Sequence, residues 1–500
     1  MSYVFAISTV QRTFKFGLSV LIHPSQMQQS TSSVPSNGLV IALTGKPGDG
    51  KTRILLSLAA HQHGVGQLVE GFVAVAGART TALEGANDYK IRFLRTGEEL
   101  PWAVRDWALT PPYRFDSGAF QRLQVWVTEL SPQSPLVLLD EFSKLEARGE
   151  GLMPLWASIE ATHPHITIIA VRDGYLEAIE QRLGRKFDLC VSATDPAALS
   201  KLTQACAEYG EWTRIGLFGG AAGGIELSIG SFLHASKIPF RGLVLSSLQG
   251  AMMTFSGFGL SQPSRVIWIP FISAGLKSLT PAGNRFRPMV AISVQGGLFG
   301  ISIGLIGWNI IGVFVGGALI GAWSASQGFF LQYLMLGGEL LRTYEATVTW
   351  LAQHWHITAP QLPWLLGGWI ALHAVIGGLI TFTAWQLRTP PAALRKLIQQ
   401  EEIQIAEPKQ VNERPKWQQV LRDFGRWQFF LPLTIVGAIS ALTGHSWESI
   451  GWLILRFLTF TVVLTSLLSL FRPAKWADQL RRFGWWGPSI ALRGALERRK

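Results

Sequence analysis

The sequence predicts two unlike parts in one chain: an α/β domain with a parallel sheet flanked by helices, then a polytopic α-helical membrane domain. Three observations carry this reading. Apolar β-type runs alternate with helical patterns up to about residue 210. Past Trp212 charge nearly vanishes, Glu226 being the only acidic residue between 212 and 338. Long apolar stretches then follow in a chain that is 48% hydrophobic and only 15% charged, with a mean hydropathy of +0.25. Soluble chains are about one quarter charged, so a wholly soluble protein and a disordered one are both excluded. Two cysteines, Cys190 and Cys206, cannot staple a fold of 500 residues.

Element by element, residues 1–36 read as a disordered leader or a start assigned upstream of Met27. The apolar patches there are broken by Gln11, Arg12 and Lys15, which makes a poor signal peptide. Residues 37–210 form the α/β domain. Its strands are expected at Leu39–Thr44, Gly71–Val75, Ile91–Leu94, Leu136–Leu139 and Ile166–Val171, and its helices at Thr52–His63, Ala119–Glu129, Gly151–Thr162, 174–186 and 195–209.

The membrane domain spans 211–386, with stretches at 215–235, 241–260, 264–280, 288–306, 309–325 and 362–386 matched to a hydrocarbon core of about 30 Å. It holds 28 of the 52 glycines. Many fall at GxxxG spacing (Gly216/Gly220/Gly224, Gly300/Gly304, Gly312/Gly316), which permits close helix approach in lipid. A basic linker at 387–426, a transmembrane hairpin at 427–471 and a basic tail at 472–500 complete the chain.

The formal charge of +12 invites a nucleic-acid reading until it is divided. Residues 1–210 carry 19 Lys/Arg against 20 Asp/Glu, residues 211–386 carry 8 against 4, and residues 387–500 carry 17 against 8. The positive charge flanks the apolar stretches, which fits basic cytoplasmic loops in a bilayer and no nucleic-acid partner.

The sharpest motif is Gly45-Lys46-Pro47-Gly48-Asp49-Gly50-Lys51-Thr52, a complete GxxxxGK[ST] loop between a strand and a helix. Such a loop wraps phosphates in backbone N–H groups, sends Lys51 to the β/γ-phosphates and offers the Thr52 hydroxyl to Mg²⁺. Leu136-Val137-Leu138-Leu139-Asp140-Glu141 is an apolar strand ending in two carboxylates. Asp140 is expected to hold Mg²⁺, and Glu141 to orient or deprotonate a water attacking the γ-phosphate. The motif pair predicts ATP or GTP hydrolysis with Lys51 and Glu141 catalytic. Since nucleotide is cytosolic, it also predicts an inner-membrane, multi-pass protein with this domain and the C-terminus in the cytoplasm and about eight crossings.

On GKPGDGKT, GANDYKIRFLRTGEE (85–99), LLDEFSKLE (138–146) and the strand end Val171-Arg172-Asp173, residues 38–190 resemble the small nucleoside-triphosphatase family first described from thermophiles, the cancer-related type. The resemblance implies slow, broad hydrolysis of ATP, GTP and other triphosphates. Ser143 stands where that family usually has Gly, while Lys144 and Glu146 match. Arg172 is either a γ-phosphate contact or a surface ion pair. No LSGGQ-like signature suggests an ABC ATPase.

In the membrane part, Glu226 and His234 lie eight residues apart near one helical face. With Lys277 and Asn284 they are the expected substrate-path residues, intramembrane charge being costly; pairing of Glu226 and His234 with Lys237 and Arg241 is the other reading. The Gly-rich run 216–338, with Gln249, Lys277, Asn284 and Gln295, resembles the substrate-binding S component of energy-coupling-factor vitamin transporters. The last hundred residues are similar to the T component, whose Ala-Arg-Gly triplets find an approximate match in Ala491-Leu492-Arg493-Gly494. A basic amphipathic helix on anionic lipid is the alternative for this tail.

The function expected is nucleoside-triphosphate hydrolysis that energises or gates uptake of a small solute, as a homodimer or with transporter subunits. The alternative is a membrane-anchored triphosphatase without transport.

Overall fold

The computed structural model describes residues 38–399 except 78–87, 107, 109–112, 236–239, 279–285 and 356–360, and then 433–435, 437–438, 441, 447–470 and 473–497. The predicted leader, Asn284 and most of the 387–444 region lie outside these residues, as does the His234 side chain.

The amino-terminal part is an α/β domain on an eight-stranded sheet, ordered β5-β4-β3-β2-β6-β7-β1-β8. The strands are β1 (Leu39–Gly45), β2 (Val69–Ala76), β3 (Asp88–Phe93), β4 (Glu99–Arg105), β5 (Tyr113–Phe115), β6 (Leu136–Phe142), β7 (Ile166–Arg172) and β8 (Leu189–Ser192). Pairs among β2, β6, β7, β1 and β8 are parallel; β3, β4 and β5 add an antiparallel wing beyond β2. The central runs are continuous Val/Ile/Leu because helices cover both faces. One face packs with helix α1 (Lys51–Gly64) through Leu55 and Leu58, and the other with α2 (Ser117–Glu129), α3 (Lys144–Arg148), α4 (Met153–Ala161) and α5 (Leu176–Leu183).

Five strands fall where the alternation of runs puts them, while β4, β5 and β8 were not anticipated. Pro101 inside ELPWAVR argues against a strand, and β5 and β8 are only three and four residues long.

The main departure comes at residue 210. The expected closing helix and the first apolar stretch are one 38-residue helix, α6 (Ala198–Ala235), about 57 Å long. It starts beside the end of β8, passes the amino edge of the sheet, where Tyr209 stacks on His165 at 5.7 Å, and continues into the helical region. Gly210 in mid-helix costs about 1 kcal/mol against alanine. Buried Leu202, Ala205, Trp212 and Ile215 on either side outweigh it.

The carboxy-terminal part is helical. It contains α7 (Arg241–Gly257), a 3₁₀ turn (Pro263–Ile267), α8 (Trp268–Lys277), α9 (Phe286–Ile306), α10 (Ile310–Leu336), α11 (Gly338–Trp355), α12 (Gln361–Leu387), α13 (Ala392–Gln399), α14 (Trp447–Leu470), α15 (Pro473–Arg482) and α16 (Trp486–Glu497). Three helices among the described residues are long and apolar enough to cross a membrane: Pro288–Ile306, Ile310–Leu334 and Trp364–Leu387. The 264–280 stretch is a 3₁₀ turn followed by a ten-residue helix, about 15 Å long and too short to cross. The Arg241–Gly257 helix, at 17 residues, is largely enclosed by its neighbours.

Of the glycines at the expected spacing, Gly216, Gly300 and Gly316 pack closely against Ala491, Ile267 and Phe299, whereas nothing lies near a Cβ on Gly304. The tightest helix pair, α10 with α12, meets through Gly317 and Gly321 against Gly377 and the His373 carbonyl. Gly216 and Gly220 face α16, where a Cβ on Gly216 would stand 2.5 Å from the Ala491 carbonyl oxygen.

Helix α16 of the tail is packed within the protein, while Trp476, Phe483 and Trp485 before it are exposed. Ile490 joins the α/β core with Leu202 and Cys206, while Ala491, Leu492 and Ala495 join the helical core. Arg481 forms a two-point ion pair with Asp188 at 2.5 Å and donates to the Gly38 carbonyl at 2.7 Å. Together α15 and α16 pin the helical region to the amino edge of the sheet.

Candidate functional site

The carboxyl edge of the parallel strands gathers the predicted residues. The loop Gly45–Gly50 leaves β1 and opens α1, and its turn requires Gly48 and Gly50 at φ 92° and 88°, where a side chain would be strained. Asp49 folds inward and accepts the Lys46 N–H at 2.6 Å. The Lys51 ammonium reaches back across the loop to the Gly45 and Lys46 carbonyls, at 2.8 and 3.0 Å. Pro47 occupies the exposed tip.

Strand β7 lies between β1 and β6, so the Asp140–Glu141 pair faces the loop across one strand. The Thr52 hydroxyl donates to Asp140 Oδ2 at 2.7 Å, spanning that gap. Asp140 also accepts the Glu141 N–H on Oδ1 at 2.9 Å and the Ala74 N–H on Oδ2 at 3.3 Å. Burial pushes its carboxyl up from the ordinary carboxylate range, against the pull of these donors and of Lys51.

Glu141 sits in the left-handed region at φ 67°, a conformation that costs a non-glycine residue about 1–2 kcal/mol. It coincides with a break in the β6–β7 register between Leu139 and Phe142. Desolvation and then the neighbouring Asp140 raise the Glu141 carboxyl to about 7, opposed by Lys51 and Arg172. The residue is exposed, so water offsets part of that shift.

Beyond Glu141 the turn is held by Glu146, whose carboxylate accepts from Ser143 N at 2.8 Å and Leu152 N at 3.0 Å. The serine at 143 therefore leaves the turn intact. Arg172, at the end of β7, is in register with Gly45 and exposed; no surface ion pair holds it among the described residues. Sequence reasoning missed Glu146 as the support of this turn, although its spacing from Ser143 is that of a capping box.

The donor set suits a magnesium ion. A hydroxyl and a buried carboxylate, already 2.7 Å apart, are hard oxygen ligands of the kind Mg²⁺ takes alongside water and phosphate. Among the described residues no cluster of three or more His, Cys, Asp or Glu forms a separate metal site.

Residues 40–206 match a family of unknown function, DUF2478. The match covers about a third of the chain and takes in the loop, both carboxylates and the start of α6. No curated protein and no solved structure matches the chain.

Of the residues predicted for a substrate path, Glu226 and Lys277 are brought together, while Asn284 and the His234 side chain lie outside the described residues. Lys277, at the end of α8, lies 3.9 Å from the Glu226 carboxylate and donates to the Glu226 carbonyl at 3.2 Å. The described partner of Glu226 is thus Lys277, on a neighbouring helix; Lys237, named in the alternative reading, lies outside the described residues. Gln249 donates to the Ile292 carbonyl at 3.4 Å, linking α7 to α9 in the same bundle.

Proposed function

We propose that the α/β domain binds and hydrolyses a nucleoside triphosphate, ATP or GTP, and that this acts on the helical region through α6 to gate the passage of a small solute. The observation that carries the first part is the Thr52–Asp140 hydrogen bond across β7. It joins two motifs 88 residues apart in sequence into the arrangement that phosphoryl transfer needs. Loop N–H groups and the positive end of α1 would receive the phosphates. Lys51 would exchange its carbonyl contacts for phosphate oxygens, offsetting charge that builds up as the γ-phosphate bond breaks.

A magnesium ion held by Thr52 and Asp140 would neutralise phosphate charge. Glu141, whose pKa lies nearer neutrality than that of an ordinary carboxylate, is matched to accept a proton from water. Its exposure leaves room for that water.

The second part rests on the unbroken α6, whose origin follows the β8 end beside Gly45 and whose far end carries Glu226. A lipid bilayer is the partner implied by the three long apolar helices. A homodimer or additional transporter subunits would complete the assembly.

The test is Glu141→Gln in the full-length protein. Nucleotide binding should persist while phosphate release falls at least a hundredfold, a loss typical of a missing general base. Unchanged turnover would reject the assignment. Solute-stimulated hydrolysis in proteoliposomes tests the gating role, and a rate indifferent to reconstitution would leave only an anchored triphosphatase.

A further inference from the structure

The first turn of α1 contains a cation that the scheme above does not use. Arg53 follows Thr52 directly and is exposed. Its guanidinium folds back over the phosphate loop: Nη2 and Nε stand 3.5 and 3.8 Å from the point where a Cβ on Gly50 would sit. Gly50 carries none, so the guanidinium faces loop backbone. Five other arginines of this domain rest on carboxylates: Arg92 on Glu99, Arg95 on Glu70, Arg114 on Asp106, Arg122 on Glu98 and Arg185 on Asp188. Arg53 makes no ion pair or hydrogen bond among the described residues.

Its position is also electrostatically adverse. The amino end of a helix carries partial positive charge and favours acids, yet the first turn of α1 has no acidic residue and holds both Lys51 and Arg53. Lys51 is compensated by two carbonyls, and the nearby Asp49 is turned toward Lys46 N. Arg53 keeps its charge uncompensated beside the loop. A polyanion on the loop would remove that repulsion and could accept a two-pronged guanidinium contact.

We propose that Arg53 is a second cationic ligand of the triphosphate chain, beside Lys51, and that it sets the preference of the site for highly charged nucleotides. This rests on the nucleotide reading of the loop. It assigns Arg53 to binding and not to the bond-breaking step, because the guanidinium sits over Gly50, while the cations that act on Glu141 are Lys51 and Arg172.

The experiment compares wild type, Arg53→Ala, Arg53→Lys and, as an exposed control away from the loop, Arg148→Ala, all as full-length protein. It measures KM and kcat for ATP and dissociation constants for ATP, ADP and AMP at two salt concentrations. For Arg53→Ala the expected result is a rise of about tenfold in KM and in the ATP dissociation constant, with kcat within twofold. AMP binding should be little changed and the salt dependence shallower. Arg53→Lys should recover part of the loss, and Arg148→Ala should match wild type. Unchanged ATP affinity in Arg53→Ala, or an equal loss for ATP and AMP, would overturn the proposal while leaving hydrolysis standing. Failure of wild type to bind any nucleotide would overturn the underlying reading and the proposal with it.

Discussion

The two regions of this protein bury different kinds of polar group. In the α/β domain the buried polar side chains include three acids: Glu70, Asp140 and Glu146. Each has a separate partner: the Arg95 guanidinium, the Thr52 hydroxyl, and the Ser143 and Leu152 amides. In the helical region the buried polar groups are Ser, Thr, Gln and His, and many hydroxyls bond within their own helix, as Ser246 does to Leu243 O and Thr254 to Gly250 O. Self-satisfied hydroxyls suit helices surrounded by apolar material, where no water is at hand. The difference teaches where chemistry can reside. The buried carboxylates of Asp140 and Glu146 gather at the carboxyl edge of the sheet, whereas the described ion pairs of the helical region, among them Glu226–Lys277, Arg265–Glu211 and Arg493–Asp478, join one helical segment to another.

That contrast can be broken most severely at the joint between the regions. Asp188 is nearly fully buried, shared by Arg185 and Arg481 and by the Val40 amide. Asp188→Ala would leave two guanidiniums facing each other, Arg185 already being lowered to about 10 by burial and by Arg481. Removing one member of a buried ion cluster costs about 3–5 kcal/mol. Denaturant unfolding should show that loss together with protease sensitivity at α15 and α16; a change under 1 kcal/mol would mean that the tail is held by apolar packing alone.

A smaller effect is expected at Gly216. Gly216→Val would push α6 from the Ala491 carbonyl and cost about 1–3 kcal/mol as overpacking. The same substitution at Gly304, where nothing lies close to a new Cβ, should be tolerated. Equal thermal shifts for both would contradict the packing described.

The smallest effect concerns Glu141 and has a sign set by linkage. Its folded pKa is raised, so its contribution to stability is fully present below the unfolded value near 4.5 and is lost as pH rises through about 7. Glu141→Gln should therefore melt higher than wild type at pH 8, and the gap should close near pH 4. A variant that melts lower at pH 8 would show the carboxylate to be stabilising.

Much of the α/β region was legible because its signals are local. A Val/Ile/Leu run followed by GKPGDGKT fixes a strand, turn and helix within a few residues of one another. The Asp140–Thr52 contact could be expected only from the pairing of two motifs. What escaped depends on distant partners. Tyr209-Gly210-Glu211 reads as a boundary, yet α6 crosses it because residues before and after are buried against different cores. The tail reads as a basic amphipathic segment, yet Ile490 is buried in a sheet core that begins at Leu39. Arg481 finds Asp188 across 293 residues, a pairing that neither composition nor spacing contains.

The central proposal is nucleotide chemistry at the sheet edge, and phosphate release tests it most directly. Full-length protein with Mg²⁺ and ATP or GTP should release phosphate, and Lys51→Ala should reduce that rate at least a hundredfold while the thermal transition without nucleotide stays unchanged. Release that is equal in wild type and Lys51→Ala, or absent from both, would contradict it.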